Sequence, residues 1–333
     1  MIEQAWYQSA AWLRVLRPLS LLYCFISQRR RARLTKQAVT FDVPVVVVGN
    51  ISVGGTGKTP LLIYLVSLAK SLGFSPGVVS RGYGGQATHY PMLVSNLTSA
   101  ERVGDEPQMI FDKTGVPVVV DPNRVTACQS LIDQHSVDII FSDDGLQHYQ
   151  MGRQFEIAVI DSVRGLGNQQ LLPEGPLREE VSRLEDVDLV VLNGEGAFSW
   201  PGSLSYRLRP TSFRHLASGE TKALNVDEIG SKTVFALAGI GNPSRFFMTL
   251  TALGLQLKTI PLRDHAPITK ELLSQYRSLP LVMTDKDAVK CHSIAPDNCW
   301  ALSVEAEFAP QDAERLARLL KRIVNPNGEK NGS

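Results

Sequence analysis

The 333-residue chain is 44% hydrophobic and 20% charged, with a formal net charge of +1, values ordinary for one large globular domain or two modest ones. Long polar tracts and repeated apolar spans are both missing, which excludes a disordered chain and a membrane bundle. The charge is uneven: residues 1–40 hold seven Lys and Arg against the single acid Glu3, leaving the remainder with a net charge of −5. Cys24, Cys128, Cys291 and Cys299 form no CxxC pair, so neither a disulfide framework nor a zinc site is expected, and a reducing cytoplasm is.

At the N-terminus, Ile2, Ala5, Trp6, Trp12, Leu13 and Leu16 fall on one side of a predicted helix, with Glu3, Gln4, Gln8 and Arg14 opposite. Pro18 kinks this helix or begins a second one, and Leu19, Leu22, Phe25 and Ile26 continue the apolar face up to Arg29, Arg30, Arg31 and Arg33. No stretch reaches the eighteen or so apolar residues of a spanning helix, and arginines inside the segment argue against a secretory signal. Two readings fit: a helix packed on the protein's own core, or an interfacial helix whose rings and cations meet anionic lipid.

Pro44 to Gly49 reads PVVVVG, a buried strand, followed by Asn50-Ile51-Ser52-Val53-Gly54-Gly55-Thr56-Gly57-Lys58-Thr59 and an apolar-periodic helix from Pro60 to Leu72. Gly54, Gly55 and Gly57, with Thr56 between them, permit a tight loop with inward-pointing amides, and the helix N-terminus adds positive potential where phosphate oxygens would sit. In this pattern Lys58 reaches the β and γ phosphates of a nucleoside triphosphate and the Thr59 hydroxyl ligates Mg2+. Ser52 departs from the general GxxxxGK[ST] pattern, whose first position is glycine.

Pro76 to Ser80 forms a short strand leading to Arg81-Gly82-Tyr83-Gly84-Gly85, either a mobile surface loop or a cation at the ligand edge of the sheet. Asp105 and Glu106 lie just before a predicted helix, where capping is the simplest role. The strand Val137 to Ser142 ends in Asp143-Asp144-Gly145, a turn when taken alone but, behind a phosphate loop, the carboxylates expected to hold the metal region. Strands at Ile157–Asp161 and Leu189–Asn193 flank a long irregular stretch unlikely in length to be structural only.

Residues 200–230 lose strong periodicity and read as a linker or hairpin between domains. Thr233–Ala238 is then a strand, Gly239 to Pro243 a turn and Ser244–Leu253 a helix, with strands at Leu255–Pro261 and Leu281–Thr284 and a packing helix at Pro310–Val324. His265 follows Asp264 after a strand. Thr284-Asp285-Lys286-Asp287 matches a guanine-reading motif only loosely and does not favour a GTPase.

The ordered set VGNISVGGTGKTP at Val48, RGYGG at Arg81, GDEP at Gly104, DDGLQH at Asp143, LLPEGPLRE at Leu171 and AGIGNP at Ala238 resembles the tetraacyldisaccharide 4'-kinase (lipid A 4'-kinase) family, including its Ser52. The resemblance implies a P-loop NTPase-like α/β/α domain with a second, smaller α/β domain joined by a β-strand linker. The boundaries expected are a membrane-associating helix region at 1–40, the P-loop kinase domain at 41–205, the linker at 206–230 and the smaller domain at 231–333. It further implies ATP- and Mg2+-dependent phosphorylation of the 4'-hydroxyl of an acylated glucosamine disaccharide 1-phosphate, giving lipid IVA. The expected place is the cytoplasmic face of the bacterial inner membrane, held peripherally on its anionic surface, with no nucleic-acid partner. By position, Asp105 is the base that receives the acceptor proton, with His265 completing an Asp/His pair whose sequence separation calls for domain closure. Arg81 neutralises phosphate charge, and Asp143 and Asp144 hold the magnesium region.

Overall fold

The computed structural model describes residues 2–291 and 293–326. In chain order, α1 (Ile2–Tyr7), a 3-10 turn (Ala11–Leu16) and α2 (Arg17–Thr35) precede β1 (Val45–Gly49), α3 (Lys58–Ser71) and β2 (Pro76–Ser80). Next come β3 (Met92–Leu93), α4 (Ala100–Val103), α5 (Asp105–Thr114), β4 (Val118–Val120), α6 (Arg124–Gln134) and β5 (Ile139–Asp143). β6 (Phe155–Asp161), α7 (Arg183–Asp186), β7 (Leu189–Asn193), β8 (Leu204–His215) and β9 (Thr221–Lys222) follow. The chain ends with β10 (Thr233–Ala238), α8 (Pro243–Ala252), β11 (Gln256–Pro261), α9 (Lys270–Ser274), β12 (Leu281–Thr284), α10 (Asp285–Ala288), β13 (Cys299–Phe308) and α11 (Pro310–Val324).

Among the described residues two compact units emerge, each drawn from discontinuous segments: 2–81, 116–207 and 307–326 in the first, 82–115 and 208–306 in the second. In the first unit the strand order runs β8-β7-β6-β1-β5-β2-β4. Every pairing is parallel from β8 to β4. All five residues of β1, β2, β5 and β7 are buried, as expected of strands covered on both faces, which read as unbroken apolar runs. β1 lies between β5 and β6, the point at which successive connections leave in opposite directions and ligands collect at the strands' carboxyl ends. α3 covers β1, β2 and β5 through Leu61, Leu62, Leu65 and Val66, all fully buried.

The second unit orders its strands β11-β10-β12-β13-β8, with β10, β11, β12 and β13 parallel. One of its cores gathers Phe213, Val234, Ala236, Phe246, Leu250 and Val282, and the other Leu237, Leu273, Leu281, Met283 and Cys299. Residues 200–230 are more regular than their sequence suggests, because Leu204–His215 is a single twelve-residue strand with only Leu204, Tyr206 and Phe213 buried. Its mixed face gives a weak periodic signal.

The N-terminal segment departs from one continuous amphipathic face. Ser9 adopts φ 52 between α1 and the 3-10 turn, and Pro18 opens α2 in its first turn, where a missing amide costs nothing. Ala5, Trp6 and Leu13 turn inward against Val53 and Leu172, whereas Trp12, Val15, Leu19, Leu21, Leu22, Phe25 and Ile26 stay exposed. Trp6 Nε1 donates to Pro173 O (3.0 Å), Ser20 Oγ donates to Leu171 O (3.0 Å), and Arg17 holds the buried Glu174 through Nε and Nη2. The LLPEGP stretch is thus the seat of the N-terminal helices. No helix among the described residues is long and apolar enough to cross a membrane.

Leu65→Ala should lower the stability of the first unit by about 2–5 kcal/mol, since it removes a fully buried side chain between α3 and the sheet. A denaturant-unfolding midpoint indistinguishable from that of the unsubstituted protein would contradict this packing.

Candidate active site

Parallel pairing of β1 with β5 sets Val48 beside Asp143, so the loop leaving β1 begins next to the two carboxylates that end β5. Gly54 (φ 104) and Gly57 (φ 93) occupy the left-handed region, which only glycine enters freely, and Gly57 caps α3 immediately before Lys58 and Thr59. Two side chains that the sequence reading passed over fasten this loop: Asn193 Nδ2 donates to Thr56 O (3.0 Å) and Tyr206 Oη donates to Gly57 O (2.6 Å). They come from the end of β7 and the start of β8, more than 130 residues away, and no local motif announces them.

Lys58 Nζ donates to Asn50 Oδ1 (3.3 Å) and lies 3.5 Å from Asp144 Oδ1. Arg178 approaches Asp144 from the other side, its Nη1 3.0 Å from Oδ2. Burial works against a charge on Asp144, but Lys58, Arg178 and Arg124 outweigh it and hold the carboxyl down at about 2. Asp144 sits at φ 47, a left-handed conformation that Asp tolerates better than most residues. The buried Asp143 accepts from Ser80 Oγ through Oδ2 (3.1 Å). Thr59 is buried in the first turn of α3, and Arg81, exposed, follows β2 one residue after Ser80.

The buried Arg124 donates through Nη2 to Asp143 O (3.1 Å), and burial lowers its pKa to about 10. Burial and the cations Arg124, Arg153, Arg30 and Arg81 push His148 down to about 4, so its ring is neutral at physiological pH. Gln147 Nε2 donates to Asn50 O (3.1 Å) and to Glu179 Oε1 (2.7 Å), tying the loop after β5 to the start of the phosphate loop and to the segment carrying Arg178.

Among the described residues, the buried Asn50 Nδ2, Thr56 Oγ1 and Asp144 Oδ1 have no hydrogen-bond partner. The Asn50 amide and Thr56 hydroxyl, beside a lysine and a helix N-terminus, fit a phosphate ligand, and the anionic Asp144 oxygen fits a cation. No group of three or more His, Cys, Asp or Glu among the described residues forms a cage for a metal ion. Thr59, Asp143 and Asp144 fit Mg2+ shared with phosphate oxygens, which requires only one or two protein carboxylates.

Asp105 and His265 belong together to the second unit. Their pairing lies within one compact body, so their wide sequence separation calls for no closure between units, contrary to the expectation from spacing. Asp105, the first residue of α5, is 6% exposed, and both its oxygens lie within hydrogen-bond reach of His265 Nδ1 (3.1 and 3.0 Å). Burial alone would raise the Asp105 pKa, but the imidazole hydrogen bond with Lys286 and Lys290 brings it below its ordinary value. His265 is raised above its own ordinary value, first by the hydrogen bond to Asp105 and against burial and Lys286. Lys286 and Lys290 are further members of this cluster, a placement beside Asp105 and His265 that their sequence did not announce.

The two shifts set a pH window. The lowered Asp105 stabilises the fold above its unfolded pKa of about 3.9 and loses that as pH falls, and the raised His265 contributes below about 6.5 and loses that as pH rises. His265→Gln should therefore cost about 1–2 kcal/mol, most clearly between about pH 4 and 6.5. Denaturant titrations showing the same difference at every pH from about 4 to 9 would contradict the pairing.

The sequence matches the family described as Tetraacyldisaccharide-1-P 4'-kinase (LpxK) over residues 12–324. It is 48% identical to the tetraacyldisaccharide 4'-kinase of Pseudomonas entomophila over 91% of this chain and 90% of that one, and 44% identical to that of Vibrio cholerae O395 over 98% and 99%. The fold resembles a crystal structure of LpxK from Aquifex aeolicus described as in complex with ATP, with TM-score 0.77 and 27% identity over 94% of this chain and 99% of that one.

Proposed function

The chain belongs to the tetraacyldisaccharide 4'-kinase family, and on that premise we propose that it moves the terminal phosphate of ATP onto the 4'-hydroxyl of an acylated glucosamine disaccharide 1-phosphate. It is a phosphotransferase of lipid A biosynthesis. The observation that carries the mechanistic reading is Lys58 held between Asn50 and Asp144 at the N-terminus of α3, beside unpartnered polar atoms. A triphosphate fits these groups: the amides of Gly54 to Thr59 receive its oxygens, and Lys58 exchanges Asp144 for the β and γ phosphates.

Mg2+ would be held by the Thr59 hydroxyl with Asp143 and Asp144, and when bound it neutralises charge on the transferring phosphate. Arg178 and Arg81 are further cations of the first unit suited to phosphate, Arg178 already ion-paired and Arg81 exposed. In the second unit, Asp105 takes the proton of the attacking hydroxyl. It is ionised at neutral pH, and His265 orients it through Nδ1–H.

An acylated acceptor stays in a bilayer, and each methylene extracted costs about 0.8 kcal/mol. The exposed stripe Val15, Leu19, Leu22 and Ile26, flanked by Trp12 and Phe25 and followed by exposed Arg29, Arg30 and Arg33, suits the anionic surface of the inner membrane on its cytoplasmic side. Removing the segment whole would also take away the buried Trp6 and Leu13, so surface substitutions make the sharper test. Leu22→Glu with Ile26→Glu should weaken cosedimentation with phosphatidylglycerol vesicles at least tenfold while the unfolding midpoint holds. Unaltered cosedimentation would remove the membrane reading.

With labelled ATP and a tetraacyl disaccharide 1-phosphate acceptor, the enzyme should yield a labelled lipid, and labelling of a soluble sugar phosphate instead would refute the assignment. Lys58→Ala should cut kcat/KM by two orders of magnitude or more, on the order of the loss of a positioned charge contact in the transition state. Asp105→Ala should lower kcat by about 10²–10⁴-fold with the KM for ATP nearly unchanged. Near-normal turnover of Asp105→Ala would exclude it as the base.

A further inference from the structure

The unusual feature of the acid–imidazole pair is what meets its far edge. Lys286 Nζ lies 3.2 Å from His265 Nε2, while Nδ1 of the same ring faces Asp105. An ionised carboxylate only accepts hydrogen bonds and an ammonium only donates them. The ring between them is therefore polarised: Nδ1 carries the proton and Nε2 keeps its lone pair.

Lys286 is fixed for this contact by two other carboxylates, Glu106 Oε1 at 3.0 Å and Asp264 Oδ1 at 3.1 Å. Burial disfavours its charge, but Glu106, Asp105 and Asp264 together raise its pKa, so it remains an ammonium. His265 itself is held at φ 59 by the turn that follows β11, with its backbone N–H donating to Asp264 Oδ1 (3.1 Å) and its ring edge-on to Tyr83. The groups facing the ring are thus Asp105 from α5, Asp264 and Tyr83 from loops, and Lys286 from α10, with Glu106 behind the lysine. Lys290 stands behind, 3.7 Å from Asp105 and 3.0 Å from the buried Asp287.

We propose that Lys286 is a positioning residue that fixes the single proton of the His265 ring on Nδ1 and opposes the second protonation that Asp105 favours, so that Asp105 stays the proton acceptor. The inference rests on the assignment of Asp105 as the base. An imidazolium beside Asp105 would be a stronger hydrogen-bond donor and would make the carboxylate a weaker base, whereas an ammonium against Nε2 makes that second protonation costly. Which ring nitrogen carries the proton is decided by the bond that the other one makes: Asp105 on Nδ1 and Lys286 on Nε2 agree, against the weaker pull of the Asp264 carboxylate 3.8 Å from Nε2.

The test is nitrogen-15 NMR of the full chain labelled at histidine, with the His265 signal identified by its loss in His265→Gln. In the unsubstituted protein, above the pH at which the ring titrates, it should show the Nδ1–H tautomer. In Lys286→Met its second protonation should move up by about one pH unit or more. The acidic limb of kcat should rise by the same amount while the KM for ATP holds. Lys286→Arg, which keeps a permanent cation, should retain the Nδ1–H signal and restore the kcat profile.

Unchanged ring titration in Lys286→Met would overturn the proposal, as would an Nε2–H tautomer in the unsubstituted protein. Should Lys286→Met fail to fold, loss of the Nδ1–H signal in folded Lys286→Arg would overturn it and retention would support it. Failure of the lipid-kinase reading would show separately, as no acceptor phosphorylation by the unsubstituted enzyme, with the NMR result unaffected.

Discussion

The pairing of β1 with β5 places Val48 against Asp143, and from that register the rest of the first unit's chemistry follows. A slip of one residue would turn each side chain to the opposite face of the sheet and move Asp143 away from the start of the loop. The glycine loop must then start beside two carboxylates, and Lys58 at the head of α3 must meet Asp144. Arg178, Gln147 and Asn50 complete a set of cations and amides around one acid, with Asn193 and Tyr206 holding the loop backbone from β7 and β8. The lysine's charge is met by Asn50 and Asp144.

The second unit solves a different electrostatic problem. Asp105 is nearly buried yet ionised, which requires compensation of its desolvation, and His265, Lys286 and Lys290 supply it. The two lysines are in turn offset by Glu106, Asp264 and Asp287. Asp287 is itself fully satisfied, accepting from Gly239 N–H (2.9 Å) and Thr284 Oγ1 (2.7 Å), so the cluster is anchored to the ends of β10 and β12. Ordered charge of this kind suits a proton acceptor, because the carboxylate's surroundings are arranged before substrate arrives.

Local chemistry decided what could be read from the sequence. Valine runs marked β1 and the glycines before Lys58 marked the loop, because both signals lie within a few consecutive residues. Asp143 and Asp144 were legible as acids ending an apolar strand. The roles of Asn193, Tyr206, Arg178 and Lys286 were not, since their partners lie tens to more than a hundred residues away and no local motif names those partners. β8 was legible only as part of a linker or hairpin for a related reason: a half-exposed strand mixes polar and apolar residues on both faces, and the alternation blurs. At the N-terminus the periodicity of residues 2–16 suggested one face, but the break at Ser9 turned Trp6 and Leu13 inward and left Trp12 outside.

The LLPEGPLRE segment joins these themes. Its first half seats the N-terminal helices through Leu171, Pro173 and Glu174, and its second half delivers Arg178 to Asp144 and Glu179 to Gln147. A stretch without regular structure is therefore ordered by hydrogen bonds at both ends, linking the surface-exposed helix to the phosphate loop. The most direct test of the account is a crystal structure of the protein with a non-hydrolysable ATP analogue and Mg2+. The account predicts the β and γ phosphates among the amides of Gly54 to Thr59, with Lys58 turned from Asp144 onto their oxygens. An analogue bound elsewhere, with Lys58 still on Asn50 and Asp144, would contradict it.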